Sequence, residues 1–306
     1  MRLIEWNCQG AFRKKNERIL ALKPDVLIVP ECENEEKLKF GKLTPKPNSF
    51  VWHSESPNKG LGVFSYSDYN LELLDWFNPK FRYVLPIKVS NGDDEFILFA
   101  IWAMDNKEND KARYIGQVWL AINYYSSLLE NDSILIGDFN SNKIWDTKDR
   151  IANHTDVVNY LEDKSIVSLY HEQENEEQGT ESMASFFMYR KIEKPYHIDY
   201  CFASSNILKN GYRITFEDVN SWIDLSDHCP IVVDFDRLNS KQVQLPSLEN
   251  FVECKVGELS KSFQEKFTNE IEQLLNISQN NSDESNRKVH NQLDYFIQID
   301  ELISKL

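Results

Sequence analysis

The stretch Leu225-Ser226-Asp227-His228-Cys229-Pro230 sets an acid beside an imidazole in a short polar turn, and the β-branched run Ile231–Phe235 follows. That run reads as a strand buried on at least one face. Pro230, with no N–H for a sheet ladder, suits its first position. Asp227 and His228 are then held at a strand mouth, where a rigid scaffold presents loop residues to a ligand; a plain surface turn is the alternative. Another acid, Asp199, lies inside Tyr196-His197-Ile198-Asp199-Tyr200. A carboxylate flanked by apolar strand residues is costly unless paired, and His228 is the partner to expect. Comparable strand mouths recur earlier in the chain. Val26-Leu27-Ile28-Val29-Pro30 ends at Glu31, and Ile134-Leu135-Ile136-Gly137 ends at Asp138-Phe139-Asn140. Alternation over residues 2–8 leads to Asn7 and a glycine turn.

The elements that must carry these groups follow from the pattern. A strand, an amphipathic helix over about 13–22 and a second strand form an opening β-α-β unit, with Lys23-Pro24-Asp25 as the break. Asn7 and Glu31 then share the carboxyl edge, where open α/β sheets bind ligands. Residues 41–60 read as a long loop. Strands are expected at 60–65, 83–89, 95–103, 185–189 and 198–203, with Asn91-Gly92-Asp93 as a tight turn. Helices are expected near 111–130 and 155–164, and residues 171–182, with five glutamates, as an acidic mobile loop.

At 306 residues the chain can bury a large core, as one α/β domain or a domain with an appendage. The formal charge is −15, of which residues 241–306, with 11 acids and 7 bases, carry −4. An acidic body argues against a long, sequence-blind grip on duplex DNA, though not against a cleft that bound cations make positive. The five cysteines form no C-x-x-C pair. Cys8, Cys32 and Cys229 each follow a candidate site residue, and strand alternation turns their thiols into packing. The start of the chain reads as a strand, not a signal peptide, and no apolar run is long enough for a membrane span. A soluble, cytoplasmic protein is expected.

Taken in order, Trp6-Asn7, Pro30-Glu31, Gly137-Asp138-Phe139-Asn140, Ile198-Asp199-Tyr200 and Ser226-Asp227-His228 resemble the motifs of the endonuclease/exonuclease/phosphatase superfamily over about residues 1–236. Their opening and closing motifs are nearest the exonuclease III and AP-endonuclease branch. The resemblance implies a four-layer α/β sandwich with two mixed β-sheets, here with a catalytic domain over 1–238. It also implies a divalent-metal-dependent phosphodiesterase, with Mg²⁺ or Mn²⁺ as cofactor. Glu31, Asn7 and Asp227 would then form the metal shell. Asp138 would orient or deprotonate the attacking water, and Asn140 would contact the phosphate or a metal-bound water. His228, fixed by Asp199, would act on a phosphoryl oxygen.

Trp102 departs from the pattern, standing where relatives carry His or Tyr. It either contacts a phosphate or base face or is simply packed, since an indole N–H cannot accept a proton. His197 replaces a frequent Arg and is read either as a switchable positive charge or as a surface residue. Tyr196, Ile198 and Trp222 are expected to line a hydrophobic pocket. His53, His154, His171 and His290 are read as surface residues. The expected substrate is nucleic acid that is single-stranded, short or damaged. A small phosphorylated metabolite is the alternative, and a non-catalytic binding module a third reading.

Residues 239–306 read as a polar linker and a helical extension. Leu259, Phe263, Phe267 and Ile271 form one helical stripe, and Val289, Leu293, Phe296, Leu302 and Ile303 a second. They predict a two-helix hairpin that packs on the body or pairs with a second copy or another protein.

Overall fold

The computed structural model of the chain describes residues 1–107, 109–279 and 282–303. In chain order the strands are β1 (Arg2–Glu5), β2 (Val26–Cys32), β3 (Ser49–His53), β4 (Gly60–Ser65), β5 (Asn70–Leu73), β6 (Val84–Ser90) and β7 (Glu95–Trp102). They continue with β8 (Ser133–Asp138), β9 (Ile166–Ser168), β10 (Phe186–Phe187), β11 (Pro195–Tyr196), β12 (Asp199–Ser204), β13 (Tyr212–Phe216) and β14 (Ile231–Phe235). One six-stranded sheet has the order β13-β14-β1-β2-β4-β3, the other β5-β6-β7-β8-β12-β9. Both are mixed: β1 runs parallel to β2 and β7 parallel to β8, within otherwise antiparallel ladders.

Period-two alternation assigns each strand's faces. Leu3, Val26 and Ile28 of the first sheet meet Leu98, Ala100, Ile134 and Ile136 of the second in one buried cluster. Their neighbours Ile4, Leu27 and Val29 turn outward onto Phe12, Ile19 and Leu38. On the far side Ile97, Phe99 and Leu135 face the helices Ile115–Tyr124 and His154–Asp163. Strands that are apolar on both faces are thus covered on both faces, which produces the four layers.

Several local expectations are corrected. The region 41–60 contains β3, which pairs with β4. The helix expected over 111–130 is regular only at Ile115–Tyr124, because Tyr114 takes a left-handed φ just before it. The strand expected at 185–189 is cut to Phe186–Phe187, since Tyr189 and Arg190 both adopt positive φ at the hairpin tip. The acidic segment 171–182 is tied down. Glu176 accepts from Tyr170 and Ser182, and Glu181 from Asn142 and the Gly179 N–H. His154 and His290 are buried, not at the surface. The His154 ring packs at a tilt against Tyr200, and His290 bridges the Tyr124 hydroxyl and the Asp75 carbonyl.

Among the described residues the extension forms four helices rather than two: Leu248–Glu258, Lys261–Lys266, Thr268–Ser278 and Asp283–Ile303. Ser247 and Ser260 start two of them as N-caps, accepting from the Asn250 and Phe263 N–H groups. Both apolar stripes turn inward. Phe251, Phe263, Leu274, Val289, Leu293 and Phe296 join the cluster beneath the second sheet, with Phe251 against Trp76 and Tyr124. The side chains of Leu302 and Ile303 lie outside the description. Lys255 is buried and satisfied by the Asn123 carbonyl, Ser126 and Glu258. The surface expected for pairing with another chain therefore lies against the body. Among the described residues no helix is long and apolar enough to cross a membrane.

Candidate active site

Strand ends from both sheets converge at one edge of the sandwich. Asp138 closes β8 and pairs in register with Asp199, which opens β12, and with Trp102 at the end of β7. Gly137 makes this crossing possible. Its φ is 148°, and a Cβ there would lie 1.9 Å from the Ile101 carbonyl oxygen. Glu31 is aimed by another device, a bulge between Pro30 and Cys32 that sets its own φ at 65°.

Asp138 is buried and richly hydrogen-bonded. Its Oδ1 accepts from the Asn140 N–H at 2.9 Å; its Oδ2 accepts from Asn7 Nδ2 and Asn140 Nδ2, each at 3.0 Å. Asn140 takes a left-handed conformation, φ 47°, that folds its amide back onto this acid and onto the Ala103 carbonyl. Burial and then the charge of Asp199 raise the Asp138 pKa to about 7, despite His228, Asn7 and Asn140 acting the other way. His228 Nδ1 donates to both oxygens of Asp199, at 2.9 and 3.1 Å. Burial depresses the imidazolium, but the charge and hydrogen bonds of Asp199 outweigh it and raise its pKa to about 9. Asp138, Asp199 and His228 offer ligand atoms within 4.8 Å of one another, close enough for one metal ion.

Asp227 and Glu31 stand at the wetter rim. Burial, aided by the charge of Glu31, raises the Asp227 pKa. Asp227 accepts from Gln9 Nε2 at 2.8 Å, and Lys59 Nζ lies 2.9 Å from Glu31 Oε2. The Asn7 side-chain oxygen Oδ1 accepts from the Gln9 N–H at 3.0 Å. Glu31, Asp227 and this oxygen are hard donors, suited to Mg²⁺ or Mn²⁺. A cation already seated on Glu31 as the Lys59 ammonium fits that chemistry. An ion between Asp199 and His228 would have to break their hydrogen bonds, and one on Glu31 would have to displace the Lys59 ammonium.

Trp102 is packed face to face on Tyr83 with Lys59 over its ring, and is only 4% exposed. It carries the lysine that meets Glu31 and offers no open face to a phosphate. Trp222 is 1% exposed, edge-on to Trp6, with its indole N–H on Glu217; it lines no pocket. His197 is likewise buried, with Nδ1 on the Met183 carbonyl. Burial lowers its pKa to about 4, which removes both the switchable charge and the surface reading. Tyr196 remains at the rim and reaches the site through Phe186, whose ring lies 4.7 Å from that of His228.

Other residues of the site escaped sequence reasoning. Ser226 donates to the Asn7 carbonyl at 2.7 Å and receives the His228 N–H at 3.1 Å, locking two mouths together. The buried Ser185 hydroxyl accepts the Ile198 and Asp199 N–H groups, while its carbonyl takes the Cys229 N–H. Arg190 closes the rim by donating to Gln9 Oε1 and to the Asp224 carbonyl. Glu5 is fully buried with both carboxylate oxygens unpartnered. Burial and the charges of Asp199 and Asp138 raise its pKa well above normal. Ser226 lies within one motif and Gln9 beside another, which was a usable signal; Ser185 and Glu5 carried none.

The chain shares its α/β sandwich fold with solved nucleases. It is similar to the endonuclease domain of TRAS1, a telomere-specific non-LTR retrotransposon, at 15% identity and a TM-score of 0.52, covering 78% of this chain and 99% of that one. It is similar to the 3′–5′ exonuclease NExo from Neisseria meningitidis at 17% identity and TM-score 0.52, covering 78% and 100%. An AP endonuclease from Archaeoglobus fulgidus gives 14% identity and TM-score 0.53, covering 78% and 100%. No protein-family model and no curated protein matches the sequence.

Proposed function

We propose that the chain is a divalent-metal-dependent phosphodiesterase that cleaves nucleic acid, single-stranded, short or damaged. The observation that carries this is the hydrogen-bonded set Asn7–Asp138–Asn140 beside Asp199–His228, which holds a proton acceptor and a cationic donor together in one buried site. Glu31 and Asp227, with Asn7 Oδ1, would hold the Mg²⁺ or Mn²⁺, which supplies charge neutralisation on the phosphoryl group when bound.

Asp138 accepts the proton of the attacking water. Its raised pKa keeps it basic enough to do so near neutrality, and its three donors fix its direction. His228 presents Nε2–H to a phosphoryl oxygen while Asp199 holds the opposite edge of the ring. Asn140, whose amide hydrogens go to Asp138 and the Ala103 carbonyl, would accept from a metal-bound water through Oδ1. The net charge of −15 favours a second reading, a small phosphorylated metabolite, because a duplex needs a basic footprint.

The test is hydrolysis of bis(p-nitrophenyl) phosphate with Mg²⁺ or Mn²⁺. EDTA and Glu31→Ala should each abolish it, and turnover that survives both would defeat the proposal. A panel of abasic duplex, single strand, RNA and nucleotides, run at several salt concentrations, separates the substrates. Nucleic-acid binding should weaken steeply with salt.

A further inference from the structure

Beyond the phosphate-handling residues, the site continues into an aromatic path that reaches the surface. The ring of Phe186 lies 4.7 Å from His228, that of Tyr196 6.4 Å from Phe186, and that of Trp145 5.1 Å from Tyr196. Its outer end is not covered: Trp145 is 36% exposed and the adjoining Ile144 56%. What sets Trp145 apart from other exposed apolar residues is that ring contacts connect it to His228.

The exposure is built into the fold. Lys143–Trp145 is a single helical turn, and buried Asn142 caps it by accepting the Ile144 N–H at 3.0 Å. The same side chain donates to the His197 carbonyl, the Tyr200 hydroxyl and Glu181, at 3.0 to 3.1 Å. The turn that lifts Trp145 into solvent is therefore bolted to the segment that carries Tyr196 and Asp199. Exposed Lys143 begins the turn that carries Trp145, and exposed Arg190 and Lys194 lie on the connection between the paired strands of Phe186 and Tyr196, in a chain whose net charge is strongly negative. A rigid aromatic step with cations on the segments that carry it is what an unpaired nucleobase on a phosphate backbone recognises.

We infer that Trp145, with Tyr196 beneath it, is a stacking platform for an unpaired base of a single strand whose scissile phosphate lies at His228. It acts in specificity, not in the chemical step. The inference rests on the phosphodiesterase reading above, and the experiment separates the two. Rates for W145A and W145F are compared with wild type on a short single-stranded oligonucleotide, on the same strand annealed to its complement, and on bis(p-nitrophenyl) phosphate, which has no nucleobase and no sugar-phosphate chain beyond the reacting phosphate.

For W145A, the kcat/KM ratio of single strand to bis(p-nitrophenyl) phosphate should fall about tenfold, through KM. W145F, which keeps a stacking face, should recover most of it, and the duplex should show no such loss because its bases are already stacked. A ratio unchanged in W145A, or an equal loss on the duplex, overturns the platform while leaving the phosphodiesterase intact. A wild-type protein that hydrolyses none of the three with Mg²⁺ or Mn²⁺ overturns both.

Discussion

Asp199→Asn tests the electrostatics of the site most directly. The substitution keeps the shape and a hydrogen-bond acceptor for His228 Nδ1 but removes the buried charge facing it. That charge and its hydrogen bonds lift His228 from an ordinary 6.5 to about 9, a bias toward imidazolium on the order of 3 kcal/mol. Without it, burial acts with less opposition and the ring should titrate near or below its ordinary value. At about pH 8 the imidazolium then falls from the dominant form to a few per cent, a loss of roughly thirtyfold from protonation alone. Asp199 is also the main charge raising Asp138, so the acid limb should move in the same direction. The assay is the profile of kcat/KM for bis(p-nitrophenyl) phosphate with saturating Mg²⁺, from about pH 5 to 10, which reports the free protein's groups. The wild type should rise through about 7 and fall through about 9; in the variant both limbs should shift to lower pH. A variant of lower amplitude whose basic limb stays near 9 would refute the reasoning.

Three further outcomes are expected. Asp138→Asn should lower kcat by about 10²–10⁴-fold and erase the acid limb, measured on the same substrate; near-wild-type turnover would exclude Asp138 as the base. Glu5 has a folded pKa well above its unfolded value, so the stability present below about pH 4.3 is lost as pH rises toward the folded value, at up to about 1.4 kcal/mol per pH unit. Glu5→Met should remove that loss, and denaturant melts should show its advantage over wild type growing from acid to neutral pH; parallel curves would argue against a buried, proton-holding Glu5. Phe251→Ala, which empties the contact with Trp76 and Tyr124, should destabilise the protein by about 3–5 kcal/mol, because the extension shares the body's core. A loss below about 1 kcal/mol by urea unfolding would mean that the two do not stabilise each other.

Short apolar and β-branched runs and the turn chemistry made most strands legible: β1, β2, β4, β6, β7, β8, β12 and β14 lie where such runs meet polar residues. The candidate metal and base residues were legible for the same reason, since a polar residue closing an apolar strand can only sit at a sheet edge. What alternation could not reveal is which aromatic or imidazole side chains the other layers cover. Trp222 and His197 carry site-like chemistry, but the helix holding Trp222 packs it on Trp6, and the 169–183 segment closes over His197. The same limit concealed the burial of His154 and His290, each supplied with a partner from more than twenty positions away.

By itself the sequence determined which residues could lie on strands, which faces were apolar, and which polar groups stood at strand ends, because backbone geometry ties these to spacing along the chain. The tertiary structure alone decided that Asp138, Asp199 and His228 meet, that Ser226 and Ser185 lock their loops, and that the C-terminal stripes close against the body. The reason is physical: hydrogen bonds across two hundred positions and the burial of one face by another depend on how layers are stacked, and no local pattern records that stacking.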